Sequence, residues 1–122
     1  MANEISYQFQ SLLNNAGLSD SFSSGSVSVD QATASLIRNV QLITQAAHVA
    51  LMLGDVVTPG YVVFQNLDDT NYISIGIDVA GTFHEFERVY PGEKHLLRLG
   101  TTAPYALANT ADANLFYIIY SN

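Results

Sequence analysis

The sequence predicts an all-β chain: a single β-sandwich, jelly-roll or immunoglobulin-like, mainly antiparallel, with little or no helix. Three observations lead there. In "YISIGIDV", Ile73, Ile75, Ile77 and Val79 alternate with Tyr72, Ser74, Gly76 and Asp78, the period of a strand with one buried face. Runs of β-branched and aromatic residues recur through residues 61–120, and such side chains suit a pleated sheet. Turn signals separate these short runs, a spacing that fits a sandwich or barrel better than a parallel α/β sheet.

The elements follow in order. "ISYQFQSLL" alternates loosely through Ile5, Tyr7 and Phe9. "DSFSSGSVSVDQATAS" is Ser-rich and low in charge, with Val27 and Val29 alternating, as in an exposed hairpin or edge strand. "SLIRNVQLITQAAHVALML" reads two ways. Leu36, Val40, Ile43 and Ala47 share a helical face, and the alanines raise helix propensity. Yet Val40-Gln41-Leu42 and Val49-Ala50-Leu51 alternate, so a bend at Thr44–Ala46 gives two strands, the reading preferred here because all around it is β. "YVVFQNL" is the next strand, and "LDDTN" is expected to be the hairpin connection to "YISIGID". "TFHEFERVY" follows Ala80-Gly81. "EKHLLRL" follows Pro91-Gly92, a pair suited to a type II turn. The last run, "NLFYIIYSN", is apolar on both faces: Leu115, Tyr117 and Ile119 point one way, Phe116, Ile118 and Tyr120 the other. A central strand covered on both sides reads this way, and so does one whose outer face meets a neighbouring subunit.

The 122 residues suffice for one domain with one core, spanning 1–122, with 1–35 as an extended edge or partner-contacting segment. Charged residues are only 12% of the chain, about half the usual share, so much of the surface can be buried on a partner with little charge desolvation. The net charge of −7 disfavours nucleic acid. Arg88, Lys94 and Arg98 lie close together, but Glu85, Glu87 and Glu93 sit among them, which reads as local neutrality. The absence of cysteine excludes disulfides, thiolate metal sites and a Cys nucleophile. "MANEISYQFQ" lacks the basic and apolar regions of a secretory signal. "AAHVALMLG" is far short of the roughly 20 residues that span a bilayer. The expectation is synthesis in a cytoplasm and no membrane partner.

No residue pattern points to catalysis. Asp68-Asp69 are adjacent carboxylates without the spacing or glycine of a calcium loop, and Asp and Asn favour turns by bonding nearby backbone N–H groups. In "HEFE", His84 and Glu85 point to opposite faces of a strand and need a bulge to converge. His48 and His95 are distant in sequence. No G-x-S-x-G elbow or Gly-rich phosphate loop occurs. The expectation is a non-enzyme with no metal and no cofactor. Tyr7, Phe9, Phe22 and Tyr72 are the candidate partner-contacting residues. Tyr7 and Tyr72 are the expected exposed rings, which also suit a carbohydrate platform.

Several motifs carry a resemblance: Gly54-Asp55 with Thr58-Pro59-Gly60-Tyr61; Asn66-Leu67-Asp68 with Thr70-Asn71; Ile75-Gly76 and Asp78; Phe86 with Arg88; Pro91-Gly92-Glu93; Tyr105-Ala106 and Ala108-Asn109-Thr110. In this order the sequence resembles small β-sandwich virion structural proteins, of decoration or cement type, from tailed bacteriophages. The resemblance implies a β-sandwich located in the virion, and the first reading built on it is a capsid decoration protein that binds and stabilises the assembled head. Its partners would be the major capsid protein or other virion subunits, together with copies of itself in a homo-oligomer such as a trimer. The alternatives are a tail, baseplate or neck component, or a carbohydrate- or receptor-binding sandwich.

Overall fold

The computed structural model describes residues 3–122, and among these every regular element is a strand. The chain divides into two compact units, Met1–Thr33 and Ala34–Asn122.

The second unit holds β5 (Leu36–Ile43), β6 (Val49–Ala50), β7 (Pro59–Asn66), β8 (Ile73–Val79), β9 (Thr82–Val89), β10 (Lys94–Arg98), β11 (Tyr105–Ala108) and β12 (Ala113–Ser121). They form two antiparallel sheets, β10-β7-β12-β5 and β6-β11-β8-β9. The order follows from folding one long hairpin. Its tip is the Ala80-Gly81 turn between β8 and β9. Behind it β7 pairs with β10, β6 with β11 and β5 with β12. Doubling this ribbon over adds the β12–β7 and β11–β8 ladders. Eight strands wrapped in this way are a jelly roll, one of the two sandwich types expected. Tyr117, Phe64, Ile43, Ile73, Ile75, Leu115 and Ile119 fill the space between the sheets and are fully buried.

The ambiguous segment "SLIRNVQLITQAAHVALML" forms two strands, β5 and β6, with the chain bending at Gln45–Ala47. "LDDTN" corrects its expectation. It bends the chain, but β7 and β8 lie in different sheets, so it is a crossover between sheets and not a hairpin. Turn chemistry is local: Asp68 Oδ2 accepts the N–H groups of Asn71 (2.6 Å) and Thr70 (3.0 Å). Which sheet the next strand joins is decided by partners far along the chain, β10 and β12 for β7, β9 and β11 for β8. Beneath the bend sits Asn66, 1% exposed. Its Nδ2 donates to the carbonyls of Asn71 and Val89, both at 2.8 Å, and its Oδ1 accepts the Asp68 N–H at 2.8 Å. One side chain thereby ties the ends of β7 and β9 to the crossover. Pro91-Gly92 also crosses between sheets. Its turn is closed by Glu93 N–H donating to the Tyr90 carbonyl at 3.0 Å, with Gly92 at φ 78°, as a type II turn requires.

The first unit is a two-stranded antiparallel ribbon. β1 (Ile5–Tyr7) pairs with β4 (Val27–Val29), and β2 (Gln10–Asn15) pairs with β3 (Leu18–Ser23). Between these ladders, Ser24 N–H donates to the Phe9 carbonyl and Phe9 N–H to Ser24 Oγ. The ribbon turns at Ala16-Gly17.

Both two-residue turns, Ala16-Gly17 and Ala80-Gly81, have positive φ at each central residue (48° and 89°; 52° and 86°), the type I′ geometry that favours Asn-Gly. Alanine pays a steric penalty there that asparagine largely avoids. Ala80→Asn is therefore expected to raise the stability of the sandwich by about 0.5–1 kcal/mol, read as a higher urea midpoint. A lowered midpoint would contradict the turn assignment.

Candidate functional site

The histidines and carboxylates are scattered, and several are engaged with one another. His48 Nε2 lies 2.6 Å from Asp78 Oδ2, and its ring packs against Phe83 and Tyr105. His95 bridges Glu87 (2.8 Å) and Glu93 (3.0 Å), which links β10 to β9 along one open edge of the sandwich. His84 is exposed, opposite Ile77. β9 does carry a bulge at Phe86, between Glu85 and Glu87, yet the three histidines do not converge. Among the described residues no group of three His, Asp or Glu side chains could hold a metal ion. The other open edge is closed by Tyr117, whose hydroxyl donates to the Met52 carbonyl or Gln41 Oε1, at 2.7 and 2.9 Å, and accepts from Asn39 Nδ2 at 3.2 Å. Burial raises its pKa. A cleft of about 420 Å³ opens beside Ile77, Phe86, Leu97 and Arg98; it holds one cation and no acid–base pair.

Four carboxylates are held below their ordinary values. Asp68 is lowered by the N–H groups of Asn71 and Thr70, Asp78 by His48 and then Gly81 N–H. Arg88 lowers Glu85, which also accepts from Ser74, and Tyr90 N–H with His95 lowers Glu93. A depressed folded pKa contributes stability that is complete above the unfolded values, 3.8 for Asp and 4.5 for Glu, and is lost as pH falls through the folded ones. The carboxylate contribution to the urea midpoint should thus be lost steadily as pH falls below about 4. A midpoint that rises on acidification to pH 3 would contradict these contacts.

The features left without a structural role are two apolar surfaces. The first is on the ribbon. Register places Phe22, Leu13 and Leu18 on one face of β2–β3, and Phe9 packs on Phe22 with ring centroids 5.6 Å apart. Leu18 is 62% and Phe22 53% exposed. The opposite face is Gln10, Asn14, Ser19, Ser21 and Ser23, with Leu12 the apolar exception at 74% exposure. Among the described residues neither outer strand edge has a ladder partner. A two-stranded hairpin is at best marginally stable alone in water, and exposed edges with apolar neighbours invite pairing.

The second surface is the outer face of β10-β7-β12-β5. Cross-strand register brings Val40 beside Phe116, Arg38 beside Ile118, Val63 beside both Ile118 and Leu96, and Leu36 beside Tyr120. Leu36, Val40 and Leu42 are each more than half exposed. A sheet face turned to water normally alternates to polar residues; this one does not. Its charges are Arg38, Lys94 and Arg98, three of the four basic residues in the chain. Arg38 lies over Phe116 and Arg98 over Tyr61. Among the described residues none of the three has a carboxylate partner.

The structure distributes the four candidate partner-contacting residues over both units. Phe9 and Phe22 meet on the ribbon and are exposed. Tyr7 is half-buried in β1, opposite Val27. Tyr72, expected to be exposed, is half-buried: Arg88 lies 4.5 Å over its ring and Tyr90 packs at 5.3 Å. Sequence reasoning missed the sheet face, although the two-sided apolarity of "NLFYIIYSN" marked its central strand. No protein-family model, curated protein or solved structure matches the chain.

Proposed function

We propose that this chain is a structural component of a tailed-bacteriophage virion, a decoration (cement) protein that binds the assembled head and stabilises it. The observation carrying the reading is the ribbon of residues 5–29. It has an exposed apolar face and, among the described residues, two edges without a ladder partner, so joining another surface adds order and buried area. The resemblance of Gly54–Tyr120 to decoration proteins supplies the setting. A second exposed apolar surface, on the sheet, offers a further place for a neighbour in an assembly. Binding the assembled lattice but not free subunits stabilises the lattice, by about 2.7 kcal/mol per site at a hundredfold excess over Kd. No bond is made or broken.

Heads assembled without this chain are expected to form with normal dimensions and to release DNA at a lower temperature, or on osmotic downshift, than complete particles. Release at an unchanged temperature contradicts the reading.

A further inference from the structure

The two uncovered surfaces complement each other. The Met1–Thr33 unit carries Glu4, Asp20 and Asp30 and no basic residue. Asp20 sits opposite Leu13 on the same face as Phe22 and Leu18. The outer face of β10-β7-β12-β5 is apolar, bears Arg38, Lys94 and Arg98, and has no carboxylate on any of its strands. In a chain of net charge −7, this sets three cations, none with a carboxylate partner among the described residues, on the two edge strands of an apolar face, and it places an apolar stripe with a lone acid on a separate unit.

We propose that the ribbon of one copy docks on this sheet face of a second copy. The dimensions fit. Six-residue strands such as β2 and β3 run about 20 Å, and the sheet face offers four strands of five to nine residues, about 17 to 30 Å long and about 4.8 Å apart. Phe22, Leu13 and Leu18 lie over Val40, Phe116 and Ile118, while Asp20 meets Arg38, the cation that stands beside Ile118. Covering Arg38 with an apolar surface that lacks an acid would carry a desolvation penalty, which Asp20 on the ribbon relieves. A sheet face docking on its own twin would instead set Arg38, Lys94 and Arg98 against each other, a like-charge arrangement that costs stability. The contact is therefore heterologous, with two different patches meeting, so repeating it either closes a ring or extends a chain. This inference goes beyond the decoration reading and does not need it, since it concerns purified protein.

The test is sedimentation of the full chain at tens of micromolar, alone and as two variants. Phe22→Asp spoils the ribbon and leaves the sheet face intact. Val40→Asp does the reverse. Both positions are exposed, and unchanged urea midpoints confirm folding. If either variant fails to fold, Asp20→Lys and Arg38→Glu replace them and should each weaken association severalfold. The wild type is expected to be oligomeric, and each variant alone a monomer. An equimolar mixture of the two should restore a heterodimer, because one intact interface of each kind is present. A Phe22→Asp chain that still self-associates overturns the proposal in favour of face-to-face pairing. A monomeric wild type overturns it in favour of a different occupant, such as a shell subunit.

Discussion

Asn66→Ala is expected to lower the unfolding free energy of the chain by about 3–5 kcal/mol. The carboxamide is buried and makes three side-chain hydrogen bonds, to Asn71 O, Val89 O and Asp68 N. Each partner is a backbone group that depends on this side chain in a position close to the core. Truncation removes the contacts and leaves donors and acceptors unsatisfied at about 1–3 kcal/mol each. It also opens a void beside Val89, which is fully buried. Asn66→Asp supplies a control of shape: it keeps the volume but turns an oxygen toward two carbonyls, and should be no better than alanine at pH 7. Urea unfolding checks both, and a loss below about 1 kcal/mol for the alanine variant would remove Asn66 from its assigned role.

Gly76→Ala is the second large effect. β8 pairs Ile75 with Glu87 but Gly76 with Glu85, because Phe86 is the extra residue of a bulge. The bulge swings the β9 backbone over Gly76, so a Cβ there would lie 2.1 Å from the His84 carbonyl oxygen and 2.7 Å from its carbon. Those are backbone atoms, and no rotamer change relieves them. Either the β8–β9 ladder breaks or the bulge rearranges, at about 3 kcal/mol or more, the upper end of overpacking effects. Amide exchange should show Ile75–Val79 and Phe83–Glu87 losing protection together. Wild-type protection in both strands would contradict the account of the bulge.

Much of the fold was legible because it is written with period two. The alternation in "YISIGIDV" gave β8, and the broken alternation around Thr44–Ala46 separated β5 from β6 against a competing helical face. The path between sheets was not legible. Asp68 and Pro91-Gly92 announce bends through local bonds and φ preferences, and those bends look alike whether the next strand pairs with the last or crosses over. Asn66 did leave a signal: it shares the inward phase of Val62 and Phe64, where a polar residue needs buried partners. The basic face left none. Arg38 is far from Lys94 and Arg98 along the chain, and Arg88, their neighbour in sequence, belongs to the other sheet, where it pairs with Glu85 at 2.7 Å. The local neutrality read from residues 85–98 is divided between two sheets, and one of them keeps the cations that have no carboxylate partner among the described residues.

The ribbon was legible only in part. Ser-rich composition indicated an exposed hairpin, and the register of β2 with β3 was needed to show that Phe9, Leu13, Leu18 and Phe22 share a face. Its amphipathic character depends on which residues stand opposite one another, information that a single strand's sequence does not hold.

The most direct measurement is a titration of purified wild-type chain onto heads assembled without it, following bound protein and the temperature of DNA release. The account predicts saturable occupancy of the shell and a release temperature that rises with it to the value of complete particles. Binding confined to the tail, or a release temperature indifferent to added protein, would contradict it.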